Sequence, residues 1–204
     1  MTSPIPQFLD VDAVASCLKE GQVVAMPTDT LPGLACQPEH ADKIWSLKQR
    51  PADKPLILMA ASASELLREA QAPCWQDAQR LSDQHWPGAL TLVLPAHGSG
   101  LLQYLNPGGS SVGLRMPNCA LTLQLLAASG PLATSSANRS GEPSALSAAE
   151  VAKTFPDLPL LGPAPWPNPS GLASTVLSWQ GPGQWRILRA GAVIPEGVDE
   201  QCCC

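Results

Sequence analysis

Proline punctuates this chain from end to end. Of 204 residues, 22 are proline and 16 glycine, spread too widely to form a low-complexity segment. Each proline fixes φ and removes a backbone donor, so long helices and long central strands cannot run through such a pattern. Short elements joined by many turns follow, as in a mixed α/β or β-rich domain. With 45% hydrophobic and 14% charged residues the chain can bury a sizeable core, and with only 4% aromatics that core must be aliphatic.

Periodicity places the elements between these breaks. Val11, Val14, Ala15 and Leu18 recur at i, i+3, i+4 and i+7, an amphipathic helix that Gly21 is placed to end. Further helices are expected at 41–47, 64–70, 77–85 and 148–154, and one capped by Asn118 that carries Leu121, Leu125 and Leu126. Apolar strands are expected at 22–26, 56–59, 90–94, 112–116, 132–134, 174–179 and 184–188. Six prolines between Pro156 and Pro169 predict an exposed loop there. Helices and strands alternate irregularly, which favours α/β architecture with a mixed sheet over a regular doubly wound one. No repeat or linker divides the chain, so residues 1–204 are expected to form one domain, with its core at about 10–195 and a disordered tail at 196–204.

Composition also narrows function. Residues 1–10 lack a basic stretch followed by an apolar run, and no apolar run is long enough to cross a bilayer, so a cytoplasmic protein with no membrane partner is expected. The seven cysteines form no Cys-x-x-Cys pair. Cys17, Cys36, Cys74 and Cys119 are read as small buried hydrophobes, and Cys202, Cys203 and Cys204 as part of the tail. A net charge of −5 argues against a protein whose main task is gripping a nucleic acid backbone. Yet Lys48, Arg50, Lys54, Arg115 and Arg189 all fall in Gly/Pro-punctuated segments, a pattern suited to a small anionic ligand.

Four segments place polar residues where a strand ends beside Gly or Pro, where side chains can meet a ligand. The first, 27–34, carries Thr28, Asp29 and Thr30 before Gly33; hydroxyls here can bind a small polar substrate, or the turn can satisfy its own backbone. The second, 48–55, has Lys48, Arg50 and Lys54 in a loop stiffened by two prolines, either a triphosphate clamp or a solvated charged loop. In the third, 111–117, Arg115 lies in an apolar strand, so it must be paired or face a cavity: a structural salt bridge or a carboxylate-binding arginine. The fourth, 134–144, clusters Thr134, Ser136, Asn138 and Ser144 around Gly141, as a loop approaching phosphate or ribose would. There is no Gly-x-x-x-x-Gly-Lys-Ser/Thr loop, no Gly-x-Gly-x-x-Gly and no metal-binding histidine pair. His40, His85 and His97 stand in unrelated contexts, which leaves a Ser-His-Asp hydrolase little support.

In this order, the segments resemble the YrdC family of threonylcarbamoyl-adenylate synthases. The resemblance rests on Pro27-Thr28-Asp29-Thr30 with Gly33-Leu34, Lys48-x-Arg50 with Lys54-Pro55, and Trp86-Pro87-Gly88 with Leu90-Thr91. It continues through Val112-Gly113-x-Arg115-x-Pro117, Ser136-Ala137-Asn138-x-Ser140-Gly141, Ser174-Thr175-Val176 and Leu188-Arg189-x-Gly191. It implies a YrdC-like twisted mixed sheet with flanking helices and a large concave, positively charged cavity, in the short form without a further C-terminal domain.

The implied reaction converts L-threonine, bicarbonate and ATP, with Mg²⁺ accompanying the ATP, into threonylcarbamoyl-adenylate and pyrophosphate. Downstream threonylcarbamoyl-transferase proteins then modify tRNAs reading ANN codons, and the acidic net charge allows at most weak direct contact with tRNA. Carried over residue by residue, the resemblance puts Thr30, Arg115, Thr134 and Ser174 around threonine. It puts Arg50, Lys54, Ser111, Ser136, Ser144 and Arg189 at ATP, supported by Lys48 and Asn138, with Lys48 and Arg50 as electrostatic catalysts and neither a covalent nucleophile nor a protein-held metal. Pro32 stands where an aromatic residue is common and Met59 where some relatives have histidine. The alternative is a YrdC-like module that binds RNA or nucleotide without catalysis.

Overall fold

The computed structural model describes residues 7–49, 51, 54–97, 100–167 and 169–198. Arg50 and the cysteines at 202–204 therefore lie outside the described residues.

Among the described residues, seven α-helices and ten strands alternate along the chain. The helices are α1 (Val11–Lys19), α2 (Ala41–Lys48), α3 (Ala63–Leu67), α4 (Trp75–His85), α5 (Leu101–Leu105), α6 (Ala120–Ser129) and α7 (Ala148–Thr154). The strands are β1 (Phe8–Leu9), β2 (Val24–Met26), β3 (Gly33–Cys36), β4 (Ile57–Met59), β5 (Leu90–Pro95), β6 (Ser111–Arg115), β7 (Leu132–Ser136), β8 (Leu160–Leu161), β9 (Thr175–Gly181) and β10 (Gln184–Arg189). Side chains start several helices: Asp10, Ser62 and Ser147 accept from the N–H groups of Ala13, Glu65 and Glu150.

All ten strands join one mixed sheet in the order β1-β8-β2-β3-β7-β4-β6-β5-β9-β10. Both faces are covered. Alternate residues of β2 and β3 enter opposite apolar clusters, Val24, Met26 and Ala35 with α1 and α6, and Ala25, Leu34 and Cys36 with α2. Burial pushes the Cys36 thiol up to about 12, with Asp42 and Glu39 adding to the effect, so it stays protonated and behaves as a small hydrophobe. Cys74 and Cys119 are also buried, whereas Cys17 is only half-buried.

Four elements depart from the sequence reading. β3 falls in a segment read as a turn, β8 in the proline-rich stretch read as loop, β1 in a segment given no element, and α5 in a connection read as loop. β8 has only two residues, Leu160 and Leu161, which fit between Pro159 and Pro163 and pair with β1 and β2. Asn118 does not cap α6: Cys119 is the cap residue and makes no side-chain bond, while the Asn118 backbone N–H is held by Asp29.

The sheet register sets up the site. Thr134 of β7 lies beside Ala35 of β3 on one side and Ile57 of β4 on the other, and Arg115 of β6 lies beside Met59. Gly33 pairs with Ser136. With a side-chain period of two, Gly33, Ile57, Met59, Thr134, Ser136 and Arg115 share the sheet face that α1 and α6 cover at its other end.

Gly191 locks the last part of this frame. A Cβ there would come within 2.3 Å of the Ala173 carbonyl oxygen and 2.6 Å of the Thr175 nitrogen. Both atoms are backbone, so they cannot swing aside. Gly191→Ala should lower the unfolding free energy by about 1–3 kcal/mol in a denaturant titration; unchanged stability would contradict this packing.

Candidate active site

β2 is a buried run that ends at Pro27, and the chain turns through Thr28–Leu31 before re-entering the sheet at β3. Of the two readings of this turn, the self-satisfied one describes Thr28. Thr28 Oγ1 accepts from the N–H groups of Thr30 (3.1 Å) and Leu31 (3.2 Å) and donates to the Leu31 carbonyl (2.7 Å). The Thr30 hydroxyl lies 3.1 Å from the same oxygen. Thr30 Oγ1 in turn accepts from Arg115 Nη1 at 2.8 Å.

Arg115 is only 3% exposed, at the end of β6. Nε donates to the Gly88 carbonyl (3.0 Å) and Nη2 to Asp29 Oδ1 (2.7 Å). The salt bridge and the cavity-facing role therefore coexist. A guanidinium has five N–H donors; these bonds and the one to Thr30 engage three, leaving two without a partner among the described residues. Burial draws the Arg115 guanidinium below its ordinary range and the like charge of Arg189 adds to this, while the Asp29 carboxylate holds it up.

These groups border a cavity of about 170 Å³. Thr28, Thr30, Ile57, Met59, Arg115 and Thr134 form one end, and Ser135, Ser136, Ser144, Ser174, Arg189 and Pro55 extend its lining. That volume lies below the roughly 300–1,000 Å³ usual for ligand pockets. The 48–55 segment that borders it through Pro55 is described only in part. Among the described residues, no carboxylate lines it.

Ser174 and Arg189 are bound together. Arg189 donates from Nε (3.0 Å) and Nη2 (2.8 Å) to the Ser174 carbonyl and from Nη2 to its hydroxyl (3.1 Å), which also meets Thr91 Oγ1 at 2.9 Å. Burial lowers the Arg189 guanidinium as well.

Lys48 is placed differently from a phosphate clamp. It is 1% exposed, and its ammonium donates to the carbonyls of Ser136 and Asn138 (2.6 Å to the latter) and to Asn138 Oδ1 (3.0 Å). Asn138 Oδ1 also accepts from the Ser136 hydroxyl (2.6 Å), and its amide donates to the carbonyls of Arg139 and Glu142. Lys48 and Asn138 thus lie behind the lining and shape the loop that presents Ser136 and Ser144.

Lys54 is exposed; its carbonyl accepts from the Trp45 indole (2.9 Å). Ser111 has the parity of Arg115 but stands at the opposite end of β6, roughly 13 Å along the strand, and is not among the lining residues. Thr28, Asp29, Met59, Thr91 and Ser135 belong to the site or its support, although the residue-by-residue carry-over assigned none of them a role. All but Met59 and Ser135 lie inside the quoted motifs, which was the available signal.

Among the described residues no group of three or more His, Cys, Asp or Glu could hold a metal ion, and no helix is long and apolar enough to cross a membrane. Replacing Lys48 with methionine would leave two part-buried carbonyls without this donor. Lys48→Met should reduce unfolding free energy by about 2–4 kcal/mol, measured by denaturant unfolding; wild-type stability would show that these bonds do not hold the loop.

Comparisons with known proteins place the chain in a family. Residues 16–191 match the Sua5–YciO–YrdC family, described as "Telomere recombination". The chain is 40% identical over 190 residues to the threonylcarbamoyl-AMP synthase of Bacillus subtilis, covering 91% of this chain and 54% of that protein. It is 38% identical over 154 residues to the enzyme of the same name from Idiomarina loihiensis, covering 72% and 80%. The chain thus spans about half the length of the Bacillus relative and most of the Idiomarina one. The crystal structure of P. abyssi Sua5 complexed with L-threonine superposes with a TM-score of 0.80 at 34% identity, covering 89% of this chain and 54% of that one. E. coli YciO, at 20% identity and a TM-score of 0.77, covers 92% and 96% and shares the fold. This chain is a member of the Sua5–YciO–YrdC family.

Proposed function

We propose that this protein is an L-threonylcarbamoyladenylate synthase. It forms threonylcarbamoyl-AMP and pyrophosphate from L-threonine, bicarbonate and ATP, for N6-threonylcarbamoyladenosine modification of tRNAs reading ANN codons, in the cytoplasm. The observation that carries this reading is the meeting of Arg115, Thr30, Thr134 and Ser174 in one cavity whose lining continues into Ser135, Ser136, Ser144 and Arg189.

Bicarbonate takes up a proton and loses water to give CO2, which the neutral threonine amine captures as a carbamate, releasing a proton. A carbamate oxygen then attacks the α-phosphorus, and the bond to the departing pyrophosphate breaks. Arg115 and the nearby hydroxyls hold the amino acid by its carboxylate and side chain. Negative charge builds on the phosphoryl oxygens and the leaving group, where Arg189, Arg50 and Lys54 are the protein's cations.

Mg²⁺ enters as part of the MgATP substrate. The described lining supplies hydroxyls, and phosphate oxygens and water would be among its ligands. Carbamate and mixed anhydride both decompose in water, and a narrow, buried amino-acid end limits that loss. No covalent enzyme intermediate is needed; rate enhancement comes from positioning and electrostatics. Downstream transferase proteins would take the product, with at most weak direct contact to tRNA.

The named relatives favour catalysis over a non-catalytic RNA- or nucleotide-binding module. Two measurements test it. Pyrophosphate release from ATP should require both threonine and bicarbonate, and release independent of threonine would refute the proposal. Arg115→Ala should cut turnover by about 10²-fold or more, whereas near-normal turnover would remove Arg115 from substrate binding.

A further inference from the structure

Asp29 takes no part in the chemistry just described, yet the cavity's most buried arginine is tied to it. Its Oδ1 accepts from Arg115 Nη2 (2.7 Å) and from the Asn118 backbone N–H (3.0 Å). It does not line the cavity that holds Thr30 and Thr134; it lies behind the guanidinium, bordering a separate groove with Asn118 and Gln124. One carboxylate oxygen thus joins the turn after β2 to the segment between β6 and α6.

A planar guanidinium is fixed by its hydrogen-bond partners, and Arg115 has three: the Gly88 carbonyl, the Thr30 hydroxyl and Asp29. The first is backbone and the second is itself part of the cavity wall. Asp29 is the one charged partner, so it also offsets the cost of burying the cation.

We propose that Asp29 is a positioning residue for substrate recognition: it sets the plane of Arg115 so that the two remaining N–H donors face the carboxylate of the amino-acid substrate. The inference rests on the threonine reading above and goes beyond it by assigning the selectivity for a free carboxylate to a residue that never touches the substrate.

The test compares binding of L-threonine, L-threoninamide and ATP to the full chain by calorimetry. Wild-type protein should prefer threonine to its amide. Asp29→Ala should weaken threonine binding by about tenfold or more and leave the amide and ATP unchanged, erasing the preference. Asp29→Asn keeps an acceptor at the same position and should restore most of it.

An Asp29→Ala protein that retains the preference, or that loses all three ligands equally, overturns the proposal, as does an Asn variant as weak as Ala. Should the Ala variant not fold, Asp29→Glu, which displaces the carboxylate by one methylene, should narrow the preference; an unchanged preference there overturns the proposal too. Wild-type protein that does not bind threonine overturns the functional reading itself, whereas threonine binding with selectivity indifferent to Asp29 overturns this inference alone.

Discussion

A buried guanidinium organises this molecule. Taking Arg115 out of water is costly unless its donors are met. Three of the five are met by two segments far from β6 in the chain: the turn after β2 through Asp29 and Thr30, and the loop before β5 through the Gly88 carbonyl. Gly88 is held in place because its own N–H donates to the Met116 carbonyl at 2.9 Å, and a Cβ there would approach the His85 carbonyl oxygen to 2.4 Å. Satisfying one cation thus brings together the polar ends of elements whose other residues pack the apolar core. The two donors left over give the cavity its chemical direction.

A second buried cation does a different job with similar physics. Lys48 ends α2, and its ammonium gathers the carbonyls of Ser136 and Asn138 as the chain leaves β7. Three rotatable donors on a flexible stem suit converging backbone carbonyls, whereas the planar fork of Arg115 suits a carboxylate. The sequence reading grouped Lys48 with Arg50 and Lys54 as cations of one loop. Burial separates Lys48 from that group: it is enclosed as part of the framework, while Lys54 stays exposed.

Much of the fold was legible because apolar periodicity and turn chemistry are local. The helix at Val11 shows its stripe, Asp10 and Gly21 bracket it, and α7 is found at its expected bounds. The strands that escaped notice are those whose pairing is not local. β3 reads as Gly-Leu-Ala-Cys beside a Thr/Asp turn and is a strand because β2 and β7 flank it; β8 is two leucines between prolines, made a strand by β1 and β2. For the site, motif spacing identified the residues that line the cavity but could not separate lining from support. That distinction depends on strand register and burial: Ser111 shares the parity of Arg115 yet stands a strand's length away, and Asp29 sits behind the arginine it steers.

The central claim is that the amino-acid carboxylate is received by Arg115 at the narrow end of the cavity while the nucleotide lies along its serine-rich extension. A crystal structure with L-threonine and a non-hydrolysable ATP analogue tests this most directly. The expected result is the threonine carboxylate within hydrogen-bond distance of Arg115, with the α-phosphate beside the threonine amine. Threonine bound away from Arg115, or the two ligands in separate cavities, would contradict it.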